Sequence, residues 1–243
     1  MDIEGISYSI EQIKVIESIS FSAEKDEFVS IIGPSGCGKS TLLRIMAGLI
    51  EPLSGTVKYE GAEVKGPQKE ISFVFQDFGL LPWLTNIENV KIGLSLFSMS
   101  EDEKEKRAAE MFRRMGLEGF ENSYPNMLSG GMKQRVGVAR AVISDPKVLL
   151  MDEPFSSLDE LTAETLRADI MEMLKSTSVP VSSVIMVTHN VEEAVELSDR
   201  IVILSARPSS VKEILNVDIK HPRNKHSREF MDTVDKVYKI LTE

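Results

Sequence analysis

The string Gly33-Pro34-Ser35-Gly36-Cys37-Gly38-Lys39-Ser40-Thr41 constrains this chain more than any other feature. It follows a short apolar run, Phe28 to Ile32, and precedes Leu42, Leu43, Ile45 and Met46, which continue at helical spacing until Gly48. Strand, glycine-rich loop and helix, in that order, are the setting in which G-x-x-x-x-G-K-[ST] cradles phosphate. The glycines let backbone N–H groups curl around the phosphates, Lys39 offers its charge to the β and γ phosphates, and the Ser40 hydroxyl is a ligand for Mg²⁺. Cys37 stands at an unconstrained position of the loop and reads as a small residue that fits, with a thiol near enough to the helix start to be alkylated.

Such a loop needs acids to complete it. The run Val148-Leu149-Leu150-Met151-Asp152-Glu153 is an apolar strand ending in two carboxylates. Asp152 suits a Mg²⁺ partner acting through water, and Glu153 suits a group that polarises a water aimed at the γ phosphate. His189 ends another apolar strand, VIMVTH, and the carboxyl ends of strands in an open α/β sheet are where ligands bind. His221 and His226 lie in the polar tail, where nothing supports a role. A second anion-holding element begins at Ser129-Gly130-Gly131, which heads an apolar-periodic segment, because a helix N-terminus leaves N–H groups unpaired and carries partial positive charge.

The rest of the chain alternates between strand and helix. Residues 2 to 24 and 55 to 75 carry short alternating stretches punctuated by Gly and Pro, which predict antiparallel strands. From about 77 to 143 the pattern predicts helices. Ser100 and Glu103 fit a capping box, Ala108, Met111, Phe112 and Met115 form an apolar stripe, and Gly116 stands where that helix would stop. Its charged stretch EDEKEKR reads as a solvated face. Beyond 145 the alternation resumes with KVLLMD, a helix over about 160 to 175, VIMVTH, a helix from Asn190, and RIVILS. The tail carries a basic patch, HPRNKHSR, and then Phe230, Val234, Val237 and Leu241 on one helix face that packs on the core. Parallel α/β with a helical insertion is the predicted class.

Composition excludes several functions. The formal net charge of -10 over 243 residues argues against a general electrostatic grip on DNA, RNA or anionic lipid, so no nucleic-acid partner is expected. No apolar run approaches the length of a membrane span, and the start MDIEGISYSIEQ lacks the features of a signal peptide. The single cysteine makes no internal disulfide. A cytoplasmic location is the expectation.

Six motifs in order, GPSGCGKST, Gln76 in SFVFQD, LSGGMKQR, VLLMDEP, Ser156-Ser157-Leu158-Asp159 and His189, resemble those of the ATP-binding subunit of ABC transporters, nearly from end to end of the chain. They look like that family's Walker A, Q-loop, signature, Walker B, D-loop and switch histidine. The resemblance implies one ABC ATPase domain over 1–243: a P-loop core with a mostly parallel, RecA-like sheet and an antiparallel β part (1–76 and 144–243), and a helical subdomain (77–143) carrying the signature. It implies ATP and Mg²⁺ as cofactors, with Ser40, Gln76 and Asp152 at the metal. Glu153 becomes the general base, while Gln76 and His189 sense the γ phosphate and the attacking water. Two chains would pair head to tail, so that Ser129, Gly130 and Gly131 of one close over ATP held by Gly33 to Thr41 of the other, with Asp159 at the same nucleotide.

The stretches QDFGLLPWLTNIENV and SARPSSVKEILNVDIKHPR resemble importers of the nitrate, sulfonate and taurine class, whose relatives also carry thiamine precursors. That resemblance implies permease subunits docking near Gln76 to Asn89, a substrate-binding protein acting indirectly, and a place on the cytoplasmic face of the membrane. Trp83 is either an exposed docking anchor or a buried core residue. A soluble ABC ATPase without membrane partners, as in iron–sulfur cluster assembly, shares the motifs and is the alternative. One departure concerns adenine. The family's stacking aromatic falls on or near Ile10, with Tyr8 two residues earlier as the candidate.

Overall fold

The computed structural model describes residues 1–175 and 181–243. Along the chain run β1 (Asp2–Ile10), β2 (Ile13–Ser22), β3 (Glu27–Ile32), α1 (Lys39–Met46), β4 (Ser54–Tyr59), β5 (Ala62–Glu63) and β6 (Ile71–Val74). They are followed by α2 (Asn86–Lys91), α3 (Glu101–Arg114), α4 (Gly130–Val142), β7 (Val148–Asp152) and α5 (Glu160–Lys175). Last come β8 (Ser183–Val187), α6 (Val191–Leu197), β9 (Arg200–Leu204), β10 (Val211–Asn216) and α7 (Arg228–Thr242). Two compact units result: Met1–Gln68 with Ser182–Glu243, and Lys69–Val181.

In the first unit β1 pairs antiparallel with β2 and with β4, and β5 adds to β4. Along β1 Ile3 and Ile6 are buried while Asp2, Glu4 and Ile10 are exposed, as suits a strand with one face on a core and one in water. Irregularities of register between Ile3 and Ile6 break strict alternation. Beside this sheet β3 pairs in parallel with β8 and with β9, and β10 closes the β9 edge antiparallel. Val29 to Ile32 and the whole of β8 are buried. Continuous apolar runs of this kind are expected of parallel strands covered on both faces. Helices α6 and α7 cover one face, with Val191, Ala194, Val195, Phe230, Val234 and Val237 packed on Ile32, Ile201 and Ile203. The amphipathic tail thus takes the core-packing role its spacing predicts, and Leu241 is partly buried against the same cluster. In the basic patch Arg223 donates to the carbonyls of Val195 and Ser198, both at 2.7 Å, satisfying the end of α6.

In the second unit β6 pairs in parallel with β7, Ile71 opposite Val148 and Val74 opposite Met151. This corrects the antiparallel expectation for the end of the 55–75 stretch. Alternation reports which face of a strand is buried and not the direction of its neighbour. The antiparallel sheet ends at Glu63, and β6 joins the strand that carries the two acids. Helix α3 starts at the Ser100–Glu103 capping box, buries Ala108, Met111 and Phe112, and is followed by Gly116 at φ 62°. A second capping box, Thr85 with Glu88, starts α2. Each such cap is worth about 1 kcal/mol.

Candidate nucleotide-binding site

The first unit supplies the phosphate loop. Gly38 sits at the N-cap of α1 with φ 103°, a conformation other residues rarely adopt. A Cβ there would also fall 2.8 Å from Val15 Cγ1 of β2, so sterics require glycine twice over. Lys39 opens α1 almost fully buried, and its Nζ donates to the carbonyls of Gly33 at 2.9 Å and Pro34 at 3.2 Å. The ammonium therefore lies across the inside of its own loop, where phosphate oxygens can replace carbonyls as acceptors. Pro34, Ser35 and Gly36 are exposed, and Ser40 and Thr41 are half-buried in the first turn.

Cys37 is 1% exposed, and burial pushes its thiol pKa up, against smaller opposing effects of Lys39 and Arg207. The expectation of an alkylatable thiol is corrected on this ground. The side chain fills the inside of the loop, where a Cβ on Gly33 would meet its Sγ at 3.1 Å. Arg207 Nη2 donates to the Gly36 carbonyl at 2.5 Å and holds the loop from outside. No motif marks Arg207, whose neighbours Ser209 and Ser210 lie beyond the strand β9 that the sequence does reveal.

His189 is exposed two residues past the end of β8, and Asn190, whose Oδ1 accepts from Glu193 N at 3.2 Å, caps α6 behind it. In the same unit Tyr8 is half-buried on β1 opposite Ile16. Ile16 Cγ1 would lie 3.2 Å from a Cβ on Gly38, so β2 links the Tyr8 position to the phosphate loop. Ile10 is 51% exposed at the end of β1, opposite Ile13, 57% exposed.

The second unit, taken by itself, carries two acids and the second helix start. Asp152 ends β7 with 1% exposure, and Glu153 follows at φ 45°. A glutamate held in the left-handed region carries strain of about 1–3 kcal/mol, of a kind that concentrates at functional sites. Gln76 Nε2 donates to Glu153 Oε2 at 3.3 Å, which brings together two predicted site residues 77 positions apart. Among the described residues, no group of three or more His, Cys, Asp or Glu is gathered as a metal cage.

Ser129 is the N-cap of α4, its Oγ accepting from Met132 N at 3.3 Å, and both it and Gly130 are exposed. Gly131 is buried, and a Cβ there would lie 2.6 Å from Thr162 Cγ2 on α5. The second glycine is therefore fixed by close packing of two helices as well as by any anion. Asp159 caps α5: Thr162 N donates to its Oδ1 at 3.1 Å and Thr162 Oγ1 to its Oδ2 at 2.7 Å. The side-chain bond from Thr162, then the backbone bond, holds the Asp159 carboxyl below its usual range. Trp83 is 69% exposed, on a loop fixed by Asn89, which is fully buried and bonds Leu81 N at 2.7 Å and the carbonyls of Leu81 and Thr85, both at 3.0 Å.

A phosphate loop on a parallel strand, an acid-tipped strand and an antiparallel β part define an ATP-binding cassette, an ATP-hydrolysing class of P-loop protein. The family model described as ABC transporter matches residues 16–156. An uncharacterised ABC transporter ATP-binding protein of Methanocaldococcus jannaschii is 45% identical over 232 residues, 96% of this chain and 86% of the relative. An aliphatic sulfonates import ATP-binding protein of Bacillus thuringiensis subsp. konkukian is 44% identical over 225 residues, 93% of this chain and 87% of the relative. A dimeric ATP-binding cassette in a post-hydrolysis state, bound to ADP and Pi, superposes with a TM-score of 0.76 at 32% identity, covering 90% of this chain and 99% of that one. The chain belongs to the ABC transporter family.

Proposed function

We propose that this chain is the ATP-hydrolysing subunit of an importer for a small solute of the sulfonate, nitrate and taurine class, acting as a head-to-tail homodimer that closes on ATP. The observation that carries the reading is the exposed helix start at Ser129 and Gly130, an anion-binding element on a chain that already has a full phosphate loop at Gly33 to Thr41. A second copy explains the duplication: each chain lends its helix start to the nucleotide of the other. The sulfonate-import relative and the dimeric cassette support the solute class and the assembly.

The roles follow from the chemistry of each group. Lys39 and the loop N–H groups bind the β and γ phosphates, and Ser129 with the N–H groups of Gly130 and Gly131 binds the γ phosphate from the partner. Glu153 takes the proton of the attacking water, which Gln76 and His189 orient. Ser40, Gln76 and Asp152 are hard oxygen donors of the kind that hold Mg²⁺ together with substrate phosphates. Bound there, the ion would neutralise charge developing between the β and γ phosphates. Asp159 orders the start of α5 close in sequence to the base, and Tyr8 is the candidate platform for adenine.

Residues 77–143 form the helical subdomain in this reading, and the Gln76–Asn89 segment, with Trp83 as its exposed aromatic, receives the permease. Among the described residues no helix is long and apolar enough to cross a membrane. The permease therefore holds the subunit at the cytoplasmic face, and a substrate-binding protein delivers the solute on the other side.

Complementation tests the assembly. Neither a Ser129→Arg chain nor a Lys39→Ala chain hydrolyses ATP alone, whereas their mixture regains activity from one intact site per mixed dimer. Mixed dimers that form and stay inactive would count against head-to-tail sharing.

A further inference from the structure

Two consecutive residues just after Gln76 hold the left-handed conformation, Phe78 at φ 60° and Gly79 at φ 59°. For Gly79 this is ordinary, but for a phenylalanine it persists where the surroundings over-determine it. Arg140, eleven positions along from Ser129 on α4, provides the constraint. Its Nη1 donates to the Gly79 carbonyl at 2.6 Å and its Nη2 to the Phe78 carbonyl at 2.9 Å. The rigid planar fork of a guanidinium matches two adjacent carbonyls in a way a point-like ammonium does not.

Packing tightens the same contact. A Cβ on Gly79 would lie 2.9 Å from Phe75 Cδ2 and 3.0 Å from Arg140 Nη2, and one on Gly137 would lie 3.2 Å from the Phe78 carbonyl oxygen. Burial lowers the pKa of Arg140, so this charge has been drawn out of water to make the contact. Helix α4 thus carries Ser129 at one end and a clamp on the Gln76 loop about 16 Å away along its axis. At the other end of that loop, Gln76 reaches Glu153.

We propose that Arg140 is a positioning residue that locks the Phe78–Gly79 turn to the signature helix, so that displacement of the Gln76–Asn89 segment is delivered to Ser129 and Gln76 stays within reach of Glu153. The inference rests on the head-to-tail cycle proposed above. Arg140 touches neither nucleotide nor water in this role; it fixes the loop that does.

The test compares Arg140→Ala, Arg140→Gln and Val138→Ala, the last removing buried volume from the same helix while leaving the guanidinium fork in place. Each is made in the full chain, with and without Glu153→Gln, and measured with ATP and Mg²⁺. For Arg140→Ala the expected result is nucleotide affinity of the isolated chain within twofold of the parent, kcat down at least tenfold, and ATP-driven dimerisation of the Glu153→Gln form weakened at least tenfold. Val138→Ala is expected to lower the melting temperature while keeping kcat. Adding Phe78→Gly to Arg140→Ala restores a large part of kcat, because glycine takes the left-handed turn unaided.

Unchanged kcat and dimerisation in Arg140→Ala overturn the inference, as does a loss of kcat that Val138→Ala reproduces at equal melting temperature. If Arg140→Ala does not melt cooperatively, Arg140→Gln carries the same readings, and its retention of parental kcat overturns the inference too. Failure of Glu153→Gln to dimerise on ATP with Arg140 intact strikes instead at the head-to-tail reading.

Discussion

The side-chain amide of Gln76 donates to the Glu153 carboxylate over 3.3 Å, joining the loop after β6 to the residue that follows the acid-tipped strand β7. The contact uses one carboxylate oxygen and fixes the direction in which the group faces. A glutamine at 153 keeps the shape and the ability to accept a hydrogen bond but cannot take a proton. Glu153→Gln is therefore expected to bind ATP like the parent, to lose about 10²–10⁴-fold in turnover, and to accumulate as an ATP-bound dimer. Single-turnover hydrolysis and gel filtration with ATP check both halves, and near-normal turnover removes Glu153 from the role of base.

The approach of α4 to α5 at Gly131 makes a second, purely steric prediction. A Cβ placed 2.6 Å from Thr162 Cγ2 forces one helix to shift, and overpacking of this kind costs about 1–3 kcal/mol. Gly131→Ala should lower the melting temperature and impair hydrolysis. Adding Thr162→Ser removes the offending methyl while keeping the hydroxyl that bonds Asp159. Recovery of stability in the double variant, read by thermal melting, is the expected result. No recovery would show that the glycine is needed for something other than clearance from Thr162.

What the chain discloses in advance depends on how local the physics is. The phosphate loop, the Ser100 cap and the α3 stripe are written in neighbouring residues, where turn chemistry and helical period act over a few positions. The partner of β6 was not legible, because strand direction is decided by residues some 77 positions away on β7. The Arg140 fork on Phe78 and Gly79 spans about sixty positions, and Arg140 reads in sequence as one more basic residue in the last turn of a helix. In sequence Gly131 reads as part of an anion site, and its tight contact with Thr162 depends on how α4 meets α5, which no local pattern encodes. The sequence leaves Trp83 open between anchor and core, and the structure exposes the ring on a loop that Asn89 holds.

The burial of Cys37 predicts slow thiol chemistry. A thiol whose pKa is raised by desolvation has less thiolate at neutral pH than an ordinary cysteine, and this one is also sterically enclosed. Modification by a maleimide at pH 7 to 8 should be far slower in the folded chain than in denaturant. The sign for stability runs the same way: the buried neutral thiol is favoured below the ordinary thiol range, and the contribution is lost as pH rises through the raised value. A Cys37→Ser chain should lack that alkaline loss, measured as melting temperature against pH. Rapid labelling of the native protein would contradict the enclosed loop.

Adenine recognition is where this chain departs from its family resemblance, and two residues on one strand compete for it. Tyr8 is half-buried opposite Ile16, the residue whose side chain closes on Gly38 of the phosphate loop, while Ile10 stands half-exposed two positions on. An aromatic face stacks on a purine for about 1 kcal/mol more than its buried area alone provides, close to fivefold in affinity. If Tyr8 is the platform, Tyr8→Ala weakens ATP binding by about that factor or more, and Tyr8→Phe is neutral. Ile10→Ala then has little effect, because an isoleucine offers no π face. Equilibrium titration with a fluorescent ATP analogue separates the cases. Affinity unchanged in Tyr8→Ala but improved in Ile10→Tyr would move the adenine site to the strand end, and would mean that the natural isoleucine leaves the base without a stacking partner.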